Sequence, residues 1–328
     1  MDDNLMKKQL RGRFSSMGWA LLIYWGIMNL TVSTVASLEM IYKTFYAGTG
    51  GSLDAMMQNM LETASEAMTS NGWGYILSCG IGLTILLLWK GSSFLRQEVF
   101  GRGKPMTLGA FGRLLCFLAS CQILYQFLYI YQEMLLEPLG MSMADTLEAV
   151  SVNTDSLSMF LYACLLAPVT EEILFRGLIL RTLQPHGRKF AILGSAFLFG
   201  MFHGNLVQAP FAFCVGLILG YVALEYNIIW AMVLHIFNNL ILGDTLPRLL
   251  SGLPESLTNG ILWLLLIAMT AVALWIAIRK RREIAARWKG DPLDGKTTVR
   301  FFTAPGVIVI TAVMWVNMMV VLLMQAIF

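Results

Sequence analysis

The chain is best read outward from Thr170-Glu171-Glu172-Ile173-Leu174-Phe175-Arg176, a stretch that interrupts an otherwise apolar run from Leu157 to Leu183. An ionisable side chain at the centre of a bilayer costs roughly 2.5–3.5 kcal/mol on insertion scales and more on simulated ones. Three of them in one hydrophobic segment therefore need partners or work to do. On a helix, Glu172 and Arg176 stand four residues apart and share a face, where they can pair. Glu171 lies about 100° round from Glu172 and has no partner in its own helix. The spacing makes Glu172 and Arg176 a brace and leaves Glu171 as the group free to act.

Composition gives the class. Of 328 residues, 57% are hydrophobic and only 13% charged, with a mean hydropathy of +0.67. A soluble domain carries about 25% charged residues. Several runs exceed the ~18 apolar residues that cross a bilayer, and a helix satisfies its own backbone there. The expected fold is all-α: a polytopic transmembrane helical bundle of about eight to nine spans. The net charge of +3 is small and its basic residues cluster at segment ends. That favours the bilayer as partner and gives no indication of nucleic acid. Cys79, Cys116, Cys121, Cys164 and Cys214 lie in apolar segments without metal-type spacing, so they read as core residues and no structural disulfide is expected.

Nine spans can be laid out: Met17–Met40, Trp73–Trp89, Leu108–Leu136, Leu157–Leu183, Phe190–Leu206, Pro210–Tyr226, Ile228–Leu242, Leu257–Ile278 and Pro305–Phe328. The first is too long for a signal-peptide core and reads as an anchor. Between the first two, Leu53–Met68 has helical spacing after Gly48, Gly50 and Gly51, and is expected on the membrane surface. Lys7, Lys8, Arg11 and Arg13 precede the first span, and Lys90, Arg96, Arg102 and Lys104 follow the second. Arg188 and Lys189 follow the fourth, and Arg279, Lys280, Arg281, Arg282, Arg287 and Lys289 the eighth. The loop Glu137–Ser156 carries Asp145, Glu148 and Asp155 and no cation. This alternation sets the N-terminus in the cytoplasm and the C-terminus outside a cell membrane. The chain divides into N-terminal helices (1–156), a polar-cored centre (157–243) and C-terminal helices (244–328), all in one membrane domain.

Two further polar sets interrupt that centre: Phe199-Gly-Met-Phe-His203, then His235-Ile-Phe-Asn238-Asn239. Phe199 and His203 are four apart, as are His235 and Asn239, so each pair shares a helix face. Three helices thus offer Glu171, His203, and His235 with Asn239 to one interior. Hydrolysis would use them directly: Glu171 takes a proton from water that an imidazole orients. The other imidazole and the amide would donate to the developing oxyanion. A divalent metal, zinc first, held by Glu171, His203 and His235 is the other route, and both stay open. A lone membrane histidine is more often packing, and a membrane asparagine is commonly interhelical glue. The coincidence of all three sets within about 70 residues outweighs those readings. His186 takes no role, Glu225 reads as interfacial, and Asp244 as a cap or loop residue.

In this order, Glu-Glu-x-x-x-Arg, Phe-x-x-x-His and His-x-x-x-Asn on successive hydrophobic helices resemble the family of CAAX proteases and bacteriocin-processing enzymes, over residues 157–243. The resemblance implies a helical bundle around a polar intramembrane cavity, and a multi-pass intramembrane endopeptidase acting on a membrane-associated peptide or lipidated protein. It implies Glu171 as the catalytic glutamate and His203 as its partner in water activation. It implies His235 and Asn239 as the oxyanion-stabilising pair, with Glu172 and Arg176 in support. Two alternatives remain: a non-catalytic regulator or immunity protein of the same fold, and a proton-coupled transporter with Glu171, His203 and His235 as relay. The absence of a detectable internal repeat weighs against the transporter.

Overall fold

A computed structural model describes residues 3–47, 53–91, 93–99, 101, 103–143 and 153–327. Gly48, Gly50, Gly51, Arg102, Asp145 and Glu148, named above, lie outside those residues, as does Phe328. All regular structure among the described residues is helical. The elements are α1 (Asp3–Ala47), α2 (Leu53–Ser70), α3 (Trp73–Lys90), α4 (Leu108–Leu136), α5 (Leu157–His186) and α6 (Arg188–Phe202). There follow α7 (Gln208–Glu225), α8 (Ile228–Leu250), α9 (Glu255–Arg279), α10 (Arg281–Lys289), α11 (Gly295–Phe302) and α12 (Pro305–Ile327). Their starts are written in the side chains. Thr107 accepts from the Ala110 amide at the head of α4, Ser156 from Met159 at α5, Asn227 from Trp230 at α8. Each satisfies an amide that the first helical turn leaves open.

Among the described residues, eight helices are long and apolar enough to cross a membrane. The expected span Phe190–Leu206 is the exception. It forms α6, whose 15 residues reach about 22 Å at 1.5 Å per residue, short of a ~30 Å hydrocarbon core. The chain stops there because Gly204 turns it, with φ +65, a left-handed value that glycine adopts without penalty. α6 and α7 then run antiparallel. Gly200 faces Ala209, Ala196 faces Gly216, Ile192 faces Gly220, and Arg188 pairs with Glu225 at 2.7 Å. The turn His203–Asn205 is thus the tip of a hairpin inside the bundle. Asn205 accepts from the Gln208 amide at 2.7 Å, Asn317 of α12 donates to the Gly204 carbonyl at 2.9 Å, and Gln132 of α4 donates to Leu206 at 3.0 Å.

Two other expectations are corrected, the end of α8 and the place of Asp244. α8 continues to Leu250, past the expected Leu242, because Asp244 pairs within the helix with Arg248 at 2.9 Å and bonds Thr154. Asp244 is therefore a buried helical residue. Arg248 also bonds Asp155 at 2.8 Å and holds that exposed carboxyl below its ordinary range. α1, at 45 residues, is about 67 Å long, far more than one crossing needs. α2 folds back along it and is tied there by Lys43 to Glu66 at 3.3 Å. Glu225 lies between Lys104 and Arg188 and pairs with both. His186 lies edge-on to Phe14, which also packs on Phe190 and Phe301.

α1 and α12 cross in contact through Gly18 and Gly306. A Cβ on either would collide with the other's helix backbone, and the Gly306 amide donates to the Ser15 hydroxyl at 2.9 Å. Small residues at such a crossing let two backbones meet, which is how helices associate where water supplies no drive. Gly18→Val is expected to destabilise the protein by about 1–3 kcal/mol, the usual effect of forcing atoms into a packed contact. Gly26→Val on the same helix, where the added atom meets nothing within 4 Å, is the control. Equal thermal unfolding of the two variants in detergent would remove the crossing from the account.

Candidate active site

Two of the three helices that carry the polar sets, α5 and α8, open into wide turns, whereas α6 is regular to Phe202. α5 opens into a wide π-type turn at Tyr162–Leu166 and again at Ile173–Leu180, on either side of Ala167–Glu172. Pro168 explains the first: it has no amide proton, and its ring crowds the carbonyl four residues back. α8 does the same at Phe237–Thr245, directly after His235. Such turns recur at functional positions, because each rotates the side chains beyond it.

Phe199, almost fully buried in α6, is the hub. Its ring lies 5.1 Å from Phe175, 4.9 Å from the His203 ring and 5.7 Å from the His235 ring, each edge-on. The Arg176 guanidinium sits over its face at 4.4 Å. One phenyl ring therefore spaces both imidazoles and the buried cation. The hydroxyl of Ser195 in α6 also ties to the Phe175 carbonyl at 2.8 Å.

Glu172 and Arg176 are wholly buried, with Nε 3.2 Å from Oε2. The contact is an ion pair without hydrogen-bond geometry, since neither atom makes a hydrogen bond there. Arg176 Nη2 donates a long bond, 3.4 Å, to the Gly216 carbonyl. The other oxygen of Glu172, Oε1, accepts from His235 Nδ1 at 3.0 Å. Glu172 thus bridges Arg176 and His235, a second function that spacing along one helix could not reveal. The far nitrogen of the same imidazole, Nε2, stands 3.7 Å from Glu171 Oε2. That approach is attractive only with a proton on one of the two groups, since a bare ring nitrogen and a carboxylate oxygen both present lone pairs.

His203 is oriented by its own helix end: Nδ1 lies 2.9 Å from the Phe199 carbonyl and can only donate to it. Nε2 is then the accepting nitrogen of the neutral ring. Asn239 donates one N–H to the Ala163 carbonyl at 3.1 Å and accepts from Asn238 at 3.1 Å, and Gln122 of α4 reaches Asn238 at 3.3 Å. One of its two N–H groups is therefore engaged, and the reading of Asn239 rests on the other.

Glu171, His203, His235 and Asn239 are thus drawn to one region of the bundle, but the contacts are not all those expected. The nearest imidazole to Glu171 is His235, and Asn238, to which spacing assigned no role, donates to Asn239. Tyr24, Cys79, Tyr162 and His203 all lie within electrostatic reach of the Glu171 carboxylate. Tyr24 meets Cys79 at 3.7 Å and stacks on Phe202 at 6.0 Å. A cleft of about 310 Å³ between α1 and α3 runs past Tyr24 to Leu174, one helical turn from Glu171. No spacing links Tyr24 or Cys79 to the motif, because both come from helices far upstream. As for a metal, among the described residues no three side chains of His, Cys, Asp or Glu converge into a ligand set. The expected set of Glu171, His203 and His235 does not fit one as arranged.

Residues 153–241, from the turn before α5 to the middle of α8, match the family model described as Rce1-like: Type II CAAX prenyl endopeptidase Rce1-like. No curated protein and no solved structure matches the chain.

Proposed function

We propose, on the premise that residues 153–241 form a domain of the Rce1-like type II CAAX prenyl endopeptidase family, that Glu171 and His203 activate water to cut a membrane-associated or lipidated peptide. Intramembrane peptide hydrolysis is the activity of that family; the residues and the substrate are our reading. The observation that carries it is the meeting of one partly exposed carboxylate with two oriented imidazoles inside an apolar bundle. Glu171 keeps 20% of its side chain accessible, whereas Glu172 beside it keeps none. The first can reach water and the second cannot.

Each group then has a task that its contacts permit. Water donates one hydrogen bond to His203 Nε2, the accepting nitrogen, and one to Glu171. Glu171 takes the proton as the water oxygen attacks the scissile carbonyl carbon. His235, held through Nδ1 by Glu172, turns Nε2 toward the same place; in its donor form that nitrogen and the second N–H of Asn239 stabilise the oxyanion. When the C–N bond breaks, the proton on Glu171 passes to the leaving amine. The cleft between α1 and α3 would take an apolar chain as far as Leu174, one helical turn from Glu171.

The test compares new peptide termini in membranes from cells expressing the wild type and His203→Ala. A cleavage found with the wild type and lowered 10²–10⁴-fold in the variant is expected, the range general acid–base groups supply. Unchanged cleavage in a folded His203→Ala protein removes His203 from the mechanism.

A further inference from the structure

One buried group beside Glu171 has no part in the chemistry above: the hydroxyl of Tyr24, a residue of α1 that is only 5% exposed. Its ring is firmly seated. It fits over α3 at Gly82, where a Cβ would overlap it, and stacks on Phe202 with centroids 6.0 Å apart. Phe202 precedes His203 and packs edge-on to Phe175 at 5.6 Å. The ring is thus held between α3 and the helix that carries His203. The hydroxyl is held less well. Its hydrogen bond is to the Cys79 thiol at 3.7 Å, and sulfur is a weak donor and a weak acceptor. The Ser78 hydroxyl stands near both, with its own proton given to the Tyr75 carbonyl at 2.6 Å.

Position gives that hydroxyl a use. The cleft follows α1 from Ser16 to Ile27 and α3 from Trp89 to Gly82. Cys79 lies one turn past Gly82, so the Tyr24 hydroxyl points beyond that end of the cleft. Thr170, the residue before Glu171, meets the same thiol with its hydroxyl. Tyr24 therefore touches the cleft with its ring and the surroundings of Glu171 with its O–H. Ser16, the other hydroxyl that lines the cleft, is turned back to the Gly12 carbonyl at 3.0 Å. A peptide drawn out of water needs donors for its carbonyls. A tyrosine suits the place where an apolar chain gives way to peptide, because its body is apolar and its tip is a donor. A bond to sulfur is readily exchanged for one to a carbonyl. We infer that the Tyr24 hydroxyl donates a hydrogen bond to a backbone carbonyl of the peptide, between its apolar chain and the bond that is cut. Tyr24 then sets how far the peptide advances toward Glu171. The inference rests on the peptidase reading and adds a substrate-positioning residue to it.

The experiment uses the full chain in detergent micelles and a synthetic fluorescent peptide with a farnesyl thioether on a cysteine near its C-terminus. Cleavage is followed with the wild type and Tyr24→Phe. Binding is followed by anisotropy with Glu171→Gln, alone and combined with Tyr24→Phe, so that it is read without turnover. Tyr24→Phe keeps the ring over Gly82 and Phe202 and removes the donor. It is expected to raise KM and to weaken binding by about two- to tenfold, the worth of one neutral hydrogen bond. The value of kcat and the unfolding temperature are expected to stay unchanged, whereas a merely structural hydroxyl would move the unfolding temperature. Tyr75→Phe, which removes a hydroxyl spent on the Met68 carbonyl at 3.3 Å, is expected to change neither KM nor binding. Equal KM and equal binding in Tyr24→Phe overturn the inference, as does failure of the peptide to bind at all. A fall in kcat at constant KM also overturns it, since the hydroxyl would then act on the reaction and not on the bound peptide. Binding that depends on Tyr24 without any cleavage by the wild type upholds the contact and removes the peptidase reading beneath it.

Discussion

Glu171→Gln is expected to lower peptide cleavage by about 10²–10⁴-fold, the contribution typical of a general base, while the protein stays folded. The substitution keeps the size and shape of the side chain and removes its ability to take a proton. Little stability should go with it. Glu171 makes no hydrogen bond inside its own helix, keeps 20% of its side chain accessible, and meets His235 only at 3.7 Å. The measurement pairs a cleavage assay with thermal unfolding of the same preparation. Lost cleavage at an unchanged unfolding temperature supports the role given to Glu171. Normal cleavage refutes it, and transfers the base to another group within reach of the scissile bond. Lost cleavage with a large fall in stability would show Glu171 to be a structural partner of His235, and the two carboxylates would have exchanged roles.

The class of fold and the identity of the polar residues were legible because both rest on local patterns. Apolar runs of membrane length declare helices, and a carboxylate, an imidazole or an amide inside such a run is conspicuous. The pair Glu172 and Arg176 was legible for the same reason, since four residues on one helix fix a distance. What spacing could not give is the contact between helices. The bond from His235 to Glu172 depends on how α8 rotates against α5, and the wide turns in both helices set that rotation. α6 was overextended because its end is a tertiary event: Gly204 turns the chain where Asn317 and Gln132 receive it. The run Phe190–Leu206 by itself carries only His203 and Asn205 as strongly polar residues near its end and returns to an apolar Leu206 after them. Asp244 misled in the opposite direction. A charge near the end of an apolar run resembles a boundary until Arg248, one turn on, supplies its partner.

Arg176→Ala is expected to destabilise the protein by about 3–5 kcal/mol, the usual result of removing one member of a buried ion pair. Arg176 and Glu172 are both fully buried, so neither can be hydrated once its partner has gone. The loss reaches further than the pair. The guanidinium covers the face of Phe199 at 4.4 Å, and Phe199 spaces both imidazoles. Glu172 would keep only His235 as a partner, and the imidazole would be drawn toward it. Cleavage should therefore fall as well, and a single variant cannot separate lost fold from lost chemistry. The double variant Glu172→Gln with Arg176→Met does so. It removes both charges together and fills much the same volume, a change that is often neutral or stabilising where deleting one partner is not. The side-chain carbonyl of the introduced glutamine can still accept from His235 Nδ1, so the ring keeps its place but loses the carboxylate behind it. Stability is expected to return while cleavage stays low, because a neutral amide does less than a carboxylate to favour the donor form of His235. If the double variant recovers cleavage in full along with stability, Glu172 is a brace and nothing more. If Arg176→Ala unfolds at the wild-type temperature, even the brace is absent, and the ion pair between successive turns of α5 contributes nothing that the packing around Phe199 does not already supply.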